Sequence, residues 1–180
     1  MNHPLGRLPT NARKPLFWAA LAGTVVLFVL FRALNTPLVT LAAPGGIVTF
    51  ELAGSPAHAR AILASWDARA QTFAAFGLGL DYLFMPCYAL ALSLGTLLAA
   101  GRHEGWLRTL GALAGWGALA AALFDAVENY ALWTLLVHGV SAPWPGVAAI
   151  CGTLKFAFLA LGLLYALVGW AWPRKGQRET

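Results

Sequence analysis

The sequence predicts an all-α fold: a four-helix transmembrane bundle with an amphipathic outer-surface helix between the first and second spans. Three observations predict it. Hydrophobic residues make up 59% of the chain and charged residues only 11%, where an average soluble domain carries about 25% charged residues. Mean hydropathy is +0.68. Four apolar runs each reach the roughly 20 residues that a membrane-spanning helix needs. This composition excludes a soluble globular domain, a disordered chain and a nucleic-acid-binding module. The 180 residues read as one domain over 16–172, with tails at 1–15 and 173–180.

The first span is read at 16–34, after Arg13, Lys14 and Pro15. It is expected to be an uncleaved anchor, with a cleaved signal peptide as the rival reading: Arg32 interrupts it and no clear A-x-A site follows. The second span is read at 73–100, the third at 106–137 and the fourth at 147–172. Short turns at 101–105 and 138–145 make consecutive spans antiparallel neighbours. Pro86 lies inside the second span, where it removes one helical hydrogen bond and predicts a kink.

Lysine and arginine set the orientation. Arg7, Arg13, Lys14, Arg102, Arg108, Arg174, Lys175 and Arg178 fall on one side, and only Arg60 and Arg69 on the other. Both termini are therefore expected in the cytoplasm. The net charge of +5 reads as this orientation signal and calls for no anionic partner. Trp18, Trp66, Trp106, Trp144, Trp170 and Trp172 fall near the span ends, where amphipathic rings prefer to sit.

Residues 35–72 form the one long loop, expected outside. Pro37, Pro44, Gly45 and Gly46 end the first helix. Ile47–Leu52 reads as a short extended run containing Glu51. Ser55-Pro56 starts a helix, with serine as its cap and proline at its first position. Its apolar face carries Ile62, Leu63 and Trp66, a pattern suited to a surface helix. Its expected role is a rim element capping the bundle, and a lid over a cavity is the rival. No glycine or proline stands before the second span, so the two helices are expected to join directly.

Within the spans, Gly111 and Gly115 have GxxxG spacing, and Ala19 and Gly23 of the first span match it. Small residues permit close helix approach. The expectation is packing inside the bundle, with homo-oligomer formation left open.

Five charged residues lie within spans: Arg32, Asp81, Asp125, Glu128 and Lys155. Each costs roughly 2.5–3.5 kcal/mol at a helix centre, so they must meet one another or water. At about 1.5 Å per residue, Asp81, Glu128 and Lys155 lie about 12–13 Å from the outer boundary, Asp125 about 18 Å and Arg32 about 6 Å. Asp125, Glu128 and Asn129 share a helical face, as do Asp81, Met85 and Tyr88. The expected polar cluster is Asp81, Asp125, Glu128, Asn129 and Lys155, with Tyr88 on the Asp81 face, Tyr82 and Tyr130 adding hydroxyls and Arg32 at the edge. Lys155 is expected to pair with Glu128 or Asp81. Three carboxylates against two bases leave one acid for a proton or a cation.

Leu80-Asp81-Tyr82-Leu83-Phe84 with Tyr88, Phe124-Asp125-Ala126-Val127-Glu128-Asn129, and Phe50-Glu51-Leu52-Ala53 resemble a group of small uncharacterised bacterial four-helix membrane proteins. The likeness covers most of the chain from residue 47 and implies topology and a bacterial inner membrane, with no activity attached. Lipoprotein signal peptidases share four spans, an outer amphipathic element and two intramembrane aspartates. Their Asn- and Gly-rich flanking motifs are absent here, and Lys155 is foreign to them. Sterol-isomerase-like and sigma-receptor-like bundles share the acidic and aromatic chemistry in outline but not the sequence pattern.

The leading expectation is a non-enzymatic binding, structural or accessory bundle. A small intramembrane enzyme or lipid-modifying protein using Asp81, Asp125 and Glu128 is the alternative. No cofactor or metal is called for: Cys87 and Cys151 form no ligand pattern and should be free. The expected partners are membrane lipid and a small amphiphilic ligand.

Overall fold

A computed structural model describes residues 2–171. Trp172 and the 173–180 tail lie outside the described residues. Six α-helices follow one another: α1 Thr10–Asn35, α2 Ile47–Glu51, α3 Pro56–Ser65, α4 Ala68–Ala100, α5 Gly105–His138 and α6 Trp144–Ala171. A single 3₁₀ turn, Thr36–Leu38, follows α1. Among the described residues there is no strand. Four helices, α1 and α4–α6, are long and apolar enough to cross a membrane.

The contacts divide the chain into two compact units. The described residues of one are 2–24, 86–122 and 156–171, and those of the other are 25–85 and 123–155. The division falls within the long helices, each of which lends a segment to both units. No change of composition marks it, so the sequence reads as one domain.

Burial follows the logic of a protein solvated by hydrocarbon. Val25, Val26, Phe28 and Val29 of α1 are exposed, as are Leu161, Leu163, Leu164 and Leu167 of α6. In the first unit the contacts are made by small residues. A Cβ on Gly111 would meet Ala100 and Tyr165, one on Gly117 would meet Phe158, and one on Gly162 would meet Leu92. Gly115 gives room to the His3 ring and Gly23 to the Cys87 sulfur. The GxxxG pair therefore serves α4, α6 and the N-terminal segment.

The second unit contains the segment between α1 and α4, and here the structure corrects three expectations. Ile47–Glu51 is a helical turn, not an extended run. The β-branched residues favour extension locally, but the backbone is fixed from outside. Gly46 turns the chain at φ +63°, a conformation that only glycine adopts at no steric cost. The side-chain oxygen of Asn35 then accepts the Ile47 N–H at 2.8 Å, and Thr49 Oγ1 accepts the Gly45 N–H at 2.9 Å.

The helix α3 forms as expected: Ser55 accepts the His58 N–H, and Pro56 stands in the first turn. Its apolar face is spent on the protein. Ala59, Ile62 and Trp66 join Phe50, Leu78, Leu132, Leu135 and Ala148 in one buried cluster. Trp66 is therefore a core residue and not a belt residue. Its indole N–H donates to the Leu38 carbonyl at 2.9 Å, and its ring stands edge-on to Phe50 at 5.2 Å. The chain also breaks before α4. Trp66 is extended, and Asp67 caps α4 by accepting the Ala70 N–H at 2.7 Å.

Candidate functional site

All the charged residues of the second unit's interior meet around Lys155. It projects from α6 into a setting where it is only 6% exposed. Its ammonium lies 2.8 Å from Glu128 Oε2 and 3.0 Å from Asp125 Oδ1, both on α5. Glu51 of α2 approaches with Oε2 at 3.7 Å. The i, i+3, i+4 spacing of Asp125, Glu128 and Asn129 puts all three on one helical face, as expected. Asp81 of α4 is held by a different member: the Asn129 amide donates to its Oδ2 at 2.8 Å and to the Leu78 carbonyl at 3.2 Å.

Glu128 is fully buried, and a glycine makes that burial fit. A Cβ on Gly152 would stand 3.2 Å from both Glu128 carboxylate oxygens. Glu128 Oε1 is buried with no hydrogen-bond partner, and the buried Glu51 Oε2 has the Lys155 ammonium at 3.7 Å, beyond hydrogen-bond length. Burial, foremost, holds the Glu51 carboxyl above the ordinary carboxylate range, while the Lys155 ammonium pulls it down and the Asp125 charge adds to the rise.

The structure thus brings together Asp81, Asp125, Glu128, Asn129 and Lys155. Lys155 pairs with Asp125 as well as Glu128, and Asp81 takes the Asn129 amide rather than the lysine. Tyr82 stands at the edge, exposed, and donates to the Ala126 carbonyl at 3.4 Å. One expected member is not brought in. Arg32 is exposed and forms no ion pair among the described residues; it sits in the last turn of α1, where a long side chain reaches outward. Tyr88 is buried in the other compact unit.

Glu51 is the member that sequence reasoning missed. It is the only charged residue between positions 36 and 57 and stands between Phe50 and Leu52. An acid in so apolar a run was the available signal. With Glu51 in and Arg32 out, the balance changes to four carboxyl groups against one ammonium.

Both cysteines are free, as expected. Among the described residues no group of histidine, cysteine, aspartate and glutamate side chains is arranged to hold a metal ion. No known protein family, no characterised protein and no solved structure matches this chain.

Proposed function

We propose that this is a non-enzymatic, multi-pass inner-membrane protein whose acid cluster binds a small amphiphile with a cationic headgroup. One observation carries the reading. Four buried or half-buried carboxyl groups, Glu51, Asp81, Asp125 and Glu128, gather where the described residues supply one ammonium, that of Lys155, which pairs with Glu51, Asp125 and Glu128. In a low-dielectric interior unbalanced charge is expensive. The deficit is made up by protons or by a positively charged ligand. Asp81 is the half-exposed acid, and the exposed Tyr82 beside it offers an aromatic face to a cation.

The alternative is a small intramembrane enzyme using Asp81, Asp125 and Glu128. Lys155 at salt-bridge distance from two of them disfavours it, because an acid engaged by a cation is a poor general base.

The test is thermal unfolding in a nonionic detergent with added dodecylammonium, against dodecanol at equal concentration. A ligand at 100 times its Kd stabilises the folded state by about 2.7 kcal/mol. The amine should raise the midpoint well beyond the alcohol, and Asp81→Asn should remove most of the difference. Equal effects of amine and alcohol would reduce the cluster to a structural ion-pair network neutralised by protons.

The orientation is part of the proposal. Reporter tags at residue 2, within 102–104 and at 180 should be cytoplasmic, and a tag near 57 periplasmic. A tag at 104 found outside would reverse the arrangement and move the Glu51 segment to the other face.

A further inference from the structure

The first unit carries a second site, unrelated to the acid cluster. The N-terminal segment folds back on the helices. The Leu5 N–H donates to His3 Nδ1 at 3.1 Å, and His3 Nε2 lies 3.2 Å from Thr96 Oγ1. The Trp116 indole donates to the Asn2 carbonyl at 3.1 Å. Burial pushes the His3 imidazole down to about 4, helped by the Arg13 charge, so the ring is neutral at pH 7. The Arg13 guanidinium fixes the return by donating to the Leu8 and Gly6 carbonyls at 3.0 and 2.8 Å.

This folded segment walls a cavity of about 630 Å³. Arg7, Arg13 and Arg108 line it, and among the described residues no acidic one does. Thr109 adds a hydroxyl, and Gly105 brings in the first turn of α5, whose N-terminal end favours negative charge. A cavity with three arginines and no described acid in its lining favours an anion, and guanidinium groups fit phosphate oxygens in pairs.

An apolar groove of about 880 Å³ runs along α5 and α6 in the same unit, lined by Leu110, Leu113, Ala114, Phe158, Leu161 and Leu164 among others. Trp116 lines both spaces. An anion-selective cavity sharing a wall with an apolar groove matches a molecule with a phosphate at one end and a hydrocarbon chain at the other. The geometry points to a bound anionic phospholipid, its headgroup phosphate among Arg7, Arg13 and Arg108 and an acyl chain in the α5–α6 groove.

Native mass spectrometry from mixed nanodiscs of phosphatidylglycerol and phosphatidylcholine tests this on the full chain. Phosphatidylglycerol should be retained preferentially. Each basic residue near a lipid surface contributes about a fivefold factor, so Arg7→Gln with Arg108→Gln should lower retention by about 25-fold. Arg13 is left alone because it holds the segment's fold. Ala114→Trp, which fills the groove without touching the cavity, should also lower phosphatidylglycerol retention. Glycerol 1-phosphate, which has the anion and no chain, should not protect the protein from heat as the lipid does. Equal retention of the two lipids, or unchanged retention in the arginine double variant, would overturn the site. Protection by glycerol 1-phosphate equal to that by the lipid, with Ala114→Trp inert, would make it a site for a soluble anion and overturn the lipid assignment.

Discussion

Lys155→Met should be the most damaging single substitution in the membrane-embedded part of this chain. The change takes from Asp125, Glu128 and Glu51 the one ammonium that the described residues place against them. Breaking a buried pair from one side typically costs about 3–5 kcal/mol, and protonation of the stranded acids reduces the loss toward the lower figure. The measurement is the thermal midpoint in a mild detergent. Adding Glu128→Gln should recover part of the loss, because both charges of the shortest pair then leave together, and the double-variant coupling measures that pair. Asp81→Asn should recover less, since Asp81 is bonded to Asn129 and not to the lysine. Wild-type stability of Lys155→Met in several detergents would show that the ammonium is hydrated and the cluster open.

Gly46→Ala should be the second most damaging. Its φ of +63° makes a side chain strained, and such strain costs about 1–3 kcal/mol. A Cβ there would also fall on the Asn35 carboxamide, displacing the oxygen that accepts the Ile47 N–H. The helical turn that carries Glu51 then loses its start, and Glu51 its approach to Lys155. Amide exchange at 47–51 should quicken along with the fall in stability. Asn35→Ala should cost about 1 kcal/mol by itself, as a lost cap does, and should add less than that on top of Gly46→Ala, because both act on one hydrogen-bonded turn. Wild-type exchange at 47–51 in Gly46→Ala would show that the turn is held by packing alone.

The long helices were legible because length and hydropathy decide them with little help from context. Most of the charged cluster was legible for a related reason: charges inside apolar helices must meet, and helical rise fixes where they can. That reasoning works only for residues on a regular element. Glu51 sits on a turn created by Gly46 and Asn35, so no period in its own segment could place it. Arg32 misled for the opposite reason. Its depth suited the cluster, but a side chain near a helix end has a cheaper route outward. The Gly111 and Gly115 spacing correctly marked close packing and could not name what fills the space. Here a histidine ring from the N-terminal segment fills one of the two positions. The arginines at 7, 13 and 108 read as an orientation signal; only the fold-back of residues 2–8 shows three of them facing one cavity.

The order in which the ribosome makes the cluster has a bearing on biogenesis. Lys155 is the last member synthesised. A nascent chain that has delivered its first three long helices carries Glu51, Asp81, Asp125 and Glu128 with no ammonium opposite them. Each membrane-buried carboxylate then stands at a cost of about 2.5–3.5 kcal/mol, and the helices bearing them have reason to remain loosely associated, within reach of membrane proteases and insertion chaperones. Arrival of α6 supplies the one base and joins the earliest acid to the latest helix. Chains truncated before position 155 should therefore be cleared while complete chains persist, so that the fourth helix doubles as the molecule's own certificate of finished synthesis.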